Sequence, residues 1–422
     1  MLHLDTGNTG FMILCTSLVM LMTPGLAFFY GGLVGRKNVL AIMIQSFVSM
    51  GWTTVIWYLY GYSLCFSGDW HGVIGNFHYA FLRGINLSTP SPNETIPAFV
   101  FIAYQMMFAI ITPALISGAM AERIKFKAYV LFVLLWITVV YFPLCHMIWG
   151  KGGYFNWALG GRVPVLDFAG GTVVHISSGV SALVCALVLG KRTGYPHEPM
   201  LPHNVVLSLI GAGLLWVGWF GFNAGSALNA GTLATSAFAA THFSAAAAAL
   251  SWAMVEWFHK GRPSVLGAAS GMVAGLATIT PASGFVTVPA AFGIGLAAGV
   301  VCYLAVTKLK AKFSYDDSLD VFGVHAVGSI TGMLMLGFLA NTMVNPAIAS
   351  TFQANGVTVS LAGGAGQFAN QLKAVLFTVA FAGIASFILL QIVNRLVGLR
   401  VDVEDEDAGL DLTQHGERAY TE

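Results

Sequence analysis

Charge is what this chain has least of: only 9% of its 422 residues are Asp, Glu, Lys or Arg. Soluble domains carry about 25%, so a water-soluble globule is excluded. Cysteine is almost as scarce. The five (Cys15, Cys65, Cys145, Cys185, Cys302) all lie in apolar stretches without a CxxC or Cys/His ligand spacing, and read as small packing residues. No charge of one sign dominates, and a net charge of +1 implies neither nucleic acid nor an acidic surface as partner. Phosphate loops and HExxH are missing as well. Gly293-Ile294-Gly295-Leu296-Ala297-Ala298 imitates a dinucleotide fingerprint, but it lies inside an apolar run with no strand before it and is assigned to helix packing. Alternating strands of about ten residues, the mark of a membrane β-barrel, do not occur. No basic n-region precedes the first apolar run, and the opening MLHLDTGNTG suits an external N-terminus.

What the chain has is long apolar runs. Hydrophobic residues make up 57% of it, and about 20 in a row cross a bilayer as a helix. Eleven spans are expected, near 9–31, 39–66, 97–119, 127–149, 167–190, 203–222, 232–257, 264–281, 286–308, 320–340 and 370–397. With the N-terminus outside, fifteen of the nineteen Lys and Arg fall on the inner side, and only Arg83, Lys151, Arg162 and Lys373 outside. Such asymmetry fixes an N-out, C-in topology. Short phrases recur at matching places: Ile111-Thr112-Pro113-Ala114 and Ile279-Thr280-Pro281-Ala282 in spans three and eight, Val174-His175 and Val324-His325 in spans five and ten. Five helices per repeat force the halves to insert with opposite topology, which puts a substrate path at their interface. The expectation is an all-α polytopic membrane protein with an inverted five-plus-five repeat and one added C-terminal helix. Its transmembrane domain covers 1–398, with halves of about 9–190 and 203–340 and the extra helix at about 370–397. Residues 399–422, with eight acids from Asp402 to Glu422, form a cytoplasmic tail. Gly267, Gly271 and Gly275, and the alanine run 245–249, suit close helix contact.

Ionisable groups inside the spans are few, and at membrane depth each is a functional candidate by default. His175 and His325 form a matched pair. Asp167 lies eight residues before His175, about 12 Å along a helix, and its alternative role is a helix N-cap. Asp320 stands about 140° round from His325 and is expected to cap or pack. Glu256 and Lys260 read as an interfacial pair, and His146 and His242 as satisfied polar groups in helix contacts. Phe108, Trp149 and Phe222 offer aromatic faces, which attract cations by about 0.5–2 kcal/mol, and Ser226 adds a hydroxyl acceptor. The plainer reading of Trp149 is an interfacial belt. Together these groups suit a small cation with several N–H donors, stripped of water at an aromatic site and led into an apolar path past imidazoles.

The phrases PGLAFFYGGLVGRKNVL, DFAGGTVVHISSG, WFGFNAGSA, DVFGVHAVG and GLDLTQHGERAY resemble the ammonium transporter (Amt/Mep/Rh) family over nearly the whole chain. The resemblance implies eleven helices, a homotrimer with one pore per subunit, no cofactor or metal, and no enzymatic activity. It implies an outer recruitment site at Trp149, Phe108 and Ser226 with Asp167 beside it, and a stacked gate of Phe108 and Phe222. Past the gate come a twin-histidine relay of His175 and His325 and a mouth-lining Thr280. Ammonium, or methylammonium as analogue, would lose its proton and cross as ammonia, with or without separate passage of the proton. Trp149 favours the Amt branch over the Rhesus-like branch. The run Gln105-Met106-Met107 departs from relatives with smaller residues there. The membrane would be the cytoplasmic one, with a PII-type protein docking on the inner face and tail. The alternatives are a passive ammonia or carbon dioxide channel and an ammonium sensor; a zwitterion carrier does not suit a histidine-lined apolar path.

Overall fold

The computed structural model describes residues 4–92, 95–354 and 356–420. Residues 1–3 of the expected transmembrane domain and 421–422 of the tail, Glu422 included, lie outside the described residues.

Eleven helices occupy the eleven expected runs. They are α1 (Thr6–Leu33), α2 (Arg36–Phe66), α3 (Ala98–Met120), α4 (Phe126–Trp149), α5 (Gly171–Leu189), α6 (Val205–Gly225), α7 (Thr232–Lys260), α8 (Val265–Ile279), α9 (Val288–Phe313), α10 (Phe322–Leu339) and α11 (Ala365–Val397). Ten are long and apolar enough to span a bilayer, and α8 is a shorter apolar helix. Between α10 and α11 lies a small hairpin, β1 (Gln353–Ala354) with β2 (Val357–Thr358). Large apolar side chains such as Ile13, Leu250, Phe258 and Ile384 point outward, while Ser117, Thr172, Ser181 and Ser329 are buried. A bilayer solvates the first group and helix contacts satisfy the second. The chain is a multi-pass membrane protein.

The inverted repeat is visible in the elements. α1 packs along α6, the first helices of the two halves, and α5 crosses α10, the last helices. A Cβ on Gly179 of α5 would sit 2.5 Å from the Ala326 nitrogen of α10, so only glycine permits that crossing. Both crossing helices open with a π-helical segment, Gly171–Ile176 and Phe322–Ala326, and α4 and α9 share the feature at Ile137–Tyr141 and Ala305–Leu309. Such wide turns cluster where helices present functional groups; here each opening carries a histidine. The expected glycine ridge of α8 packs against α7: a Cβ on Gly271 or Gly275 would stand 2.5 Å from the side chain of Trp252 or Ala248. Gly295 likewise abuts Ser244, so the false fingerprint is a packing surface.

At the face carrying most of the Lys and Arg, the loops are held by buried ion pairs. Arg192 contacts Asp316 at 2.8 Å and Glu122 at 2.5 Å. Burial alone would raise the Glu122 and Asp316 carboxyls, but Arg192 holds both below the usual carboxylate range. Arg123 is fully buried, and burial draws its guanidinium down to about 10. Neighbouring Asp317 is pushed up to about 6 by burial, with Lys310 opposing and Asp320 adding to the rise. The stretch after α11 is docked rather than free. Helices α12 (Val403–Ala408) and α13 (Leu410–His415) lie against this face. The Leu410 and Ala41 N–H groups donate to Asn38 Oδ1 and Asp411 Oδ1 at 2.8 Å each, and the Thr193 N–H donates to Glu406 at 2.7 Å.

Candidate functional site

Three cavities line up through the bundle. The first, of about 300 Å³, opens at the end of α4 among Phe101, Gln105, Phe108, Trp149, Asp167 and Ser226. Its floor is the Phe108 ring, packed 4.1 Å centroid to centroid on Phe222 at 30°. Trp149 meets Phe108 edge-on at 5.8 Å. Below Phe222 lies a void of about 10 Å³, bounded by Leu26, Ile111, Leu215, Trp219 and the two histidines. That is room for about one water. His325 also borders the third cavity, of about 170 Å³, which opens beside Ser318 and Asp320 at the basic face.

His175 and His325 are both buried, with Nδ1 atoms 3.2 Å apart and rings parallel to within 10°. One nitrogen donates and the other accepts, so the pair shares one hydrogen. His175 lines the void, and its buried Nε2 has no hydrogen-bond partner among the described residues. It is free to meet a passing donor or acceptor. The ring is backed on its other face by Trp219, stacked at 5.4 Å.

Asp167 is the helix cap. Its two carboxylate oxygens accept from the Gly170, Gly171 and Thr172 N–H groups at 2.7–2.8 Å, and from the Thr172 hydroxyl. No lone pair is plainly left for a cation. Its backbone carbonyl, however, accepts from the Trp149 indole at 3.1 Å, so Asp167 sets both the start of α5 and the tilt of the tryptophan. Ser226 donates to the Phe222 carbonyl at 2.9 Å and meets the Tyr104 hydroxyl at 3.3 Å, which leaves one oxygen lone pair at the cavity wall.

The structure thus gathers Trp149, Phe108, Ser226 and Asp167 around one cavity, sets Phe222 beneath it and brings the two histidines together. Thr280 is the exception. It is fully buried, lines none of the three cavities, and accepts the Trp219 indole N–H at 2.9 Å. Its place is behind the histidine pair, not at a mouth, because the helix ends at Ile279 and Thr280 begins an inward turn. Two residues that sequence reasoning passed over belong to the site. Trp219 walls the void, and Tyr104 donates toward the Phe222 carbonyl at 2.8 Å, steadying the inner phenylalanine. Trp219 stands three residues before Phe222, one helical turn away, and that spacing was the available signal. Asp320 borders the third cavity, where it pairs with Lys310 at 2.6 Å. Glu256, paired with Lys260 at 3.2 Å, and His242, stacked on Trp216, line none of the three cavities.

The family model of the Ammonium Transporter Family matches residues 10–420. The chain is 45% identical to an ammonium transporter of Bacillus subtilis over 99% of both chains. It is 44% identical to "Ammonium transporter Amt1" of Archaeoglobus fulgidus over 99% of this chain and all of that one. Among solved structures, Saccharomyces cerevisiae Mep2 superposes with a TM-score of 0.87 at 33% identity, covering 96% of this chain and 89% of the other. A structure titled "Sensor Amt Protein" superposes at 0.86 with 26% identity, covering 97% and 98%. An apolar path with paired imidazoles and full-length likeness at this level make the chain a member of the ammonium transporter family.

Proposed function

We propose that this protein takes up ammonium across the cytoplasmic membrane, with the Trp149 cavity outside and the tail in the cytoplasm. The Lys and Arg asymmetry supports that orientation. Ammonium is recruited between the faces of Trp149 and Phe108 and the Ser226 hydroxyl, where ring quadrupoles and a lone pair replace water. Beyond Phe108 and Phe222 the void is apolar and holds about one water, so a bare cation would be costly there. The cation therefore gives up its proton near the stacked phenylalanines and continues as ammonia past His175 and His325. The single observation that carries this reading is the 3.2 Å histidine pair on the wall of a small, mostly apolar void. The shared hydrogen supports separate passage of the proton, which makes transport electrogenic. We assign 1–398 to the transmembrane unit, 399–422 to a regulatory tail, and the working form to a homotrimer, with a PII-type regulator at the tail face.

Trp149→Leu tests the recruitment site. It removes an indole face, and its loss raises the half-saturating ammonium concentration about tenfold in reconstituted vesicles. A passive gas channel requires unchanged flux in that variant. The likeness to "Sensor Amt Protein" favours a second reading, reception on the same fold, which requires ammonium binding without sustained flux.

A further inference from the structure

His146 lies on the last turn of α4, three residues before Trp149, and is fully buried. Its Nδ1 is 2.9 Å from the Cys65 carbonyl oxygen, and its Nε2 is 3.0 Å from Asp69 Oδ1. A carbonyl only accepts, so Nδ1 carries a hydrogen. Asp69 Oδ1 also accepts from the Gly72 N–H at 2.7 Å. The buried ring therefore ties the Cys65 carbonyl at the end of α2 to Asp69 in the loop that follows.

This contact reaches the cavity by a short route. Asp69 lies in the loop after α2, and the same loop's Gly72 carbonyl accepts from the Tyr154 N–H at 2.8 Å. Gly152 packs on Asp69 so closely that a Cβ there would stand 3.1 Å from it. The segment 150–162 so held contributes Asn156, Trp157 and Leu159 to the wall of the Trp149 cavity. Asn156 in turn donates to the Gly150 carbonyl at 3.0 Å, next to Trp149.

We propose that His146 and Asp69 are a positioning pair for ammonium recruitment, fixing the end of α4 and the 150–162 loop so that Trp149 and the cavity wall keep their register. The pair touches no substrate; it acts through Trp149, and so rests on the recruitment reading above.

Ammonium chloride pulses on full-length protein in solid-supported membranes test it, with amplitude normalised to folded protein and read against concentration. Asp69→Ala and His146→Leu raise the half-saturating concentration about fivefold and leave the maximal response within about twofold. Asp69→Asn, whose amide can donate to or accept from Nε2, keeps the wild-type value. Asp69 is 36% exposed, so Asp69→Ala decides the matter even where His146→Leu does not fold. Trp149→Leu runs alongside. An unchanged half-saturation in Asp69→Ala, with Trp149→Leu shifted, overturns the positioning pair and spares the recruitment site. A lower maximum at unchanged half-saturation assigns the pair to stability alone and equally overturns the proposal. No shift in Trp149→Leu removes the recruitment site, and the inference with it.

Discussion

At the scale of single residues, the site is built on groups whose polar atoms are mostly used up. Asp167 is the clearest case: four donors of its own turn consume both carboxylate oxygens, so its pull on a cation is indirect. Asp167→Ala strands three buried N–H groups and the Thr172 hydroxyl. Each stranded group costs about 1–3 kcal/mol, and the loosened α5 start releases Trp149. A large fall in thermal midpoint together with weaker ammonium recruitment is expected; a variant with wild-type melting and affinity contradicts the capping role. The histidines were legible in the sequence because a polar ring in an apolar run is conspicuous. Asp167 was legible as a helix cap, which it is, but its indole contact and the seat of Thr280 were not. Which partner a hydroxyl or carboxylate meets depends on where the helix stops, and a sequence fixes that only to a few residues.

At the scale of elements, the eleven apolar runs were readable because a bilayer demands about 20 apolar residues from each. The π-helical openings of α5 and α10 were not. They answer to tertiary crossing at Gly179 and Ala326, which no local pattern records. The docking of α12 and α13 was equally hidden, since an acid-rich stretch reads as solvated until Asn38, Ala41 and Thr193 are seen to receive it. Deleting 399–422 exposes those partners and is expected to lower ammonium flux while leaving the helices around the pore folded. Wild-type flux in the truncated protein would assign the docking no functional weight. The loop network beneath the tail gives a pH dependence. Glu122 and Asp316 have folded-state values below their ordinary 4.5 and 3.8, so their stabilisation is complete above that range. It is lost as pH falls through the lower folded values. Asp317, raised to about 6, acts oppositely and weakens the fold as pH rises from 4 to 6. Arg192→Met leaves two buried carboxylates unpaired, at a cost of about 3–5 kcal/mol. Its thermal midpoint at pH 7 should drop sharply and recover in part near pH 4, where the orphaned acids protonate. A midpoint independent of pH would contradict the network.

At the scale of the whole molecule, two inverted halves each deliver one imidazole to the void that lies between the outer and inner cavities. The halves were visible in sequence as paired phrases, because each half must solve the same crossing problem. The depth and dryness of the void between them were not visible, since they depend on side chains from α1, α3, α5, α6, α8 and α10 closing on one point. The central claim is that the cation does not pass this point intact. Solid-supported membrane recordings on wild type and on the His175→Ala, His325→Ala double variant, pulsed with ammonium and then with potassium, test it most directly. Wild type is expected to give a transient with ammonium and none with potassium, and the double variant to lose the ammonium transient. Equal potassium current in wild type, or an undiminished ammonium transient in the double variant, would contradict it.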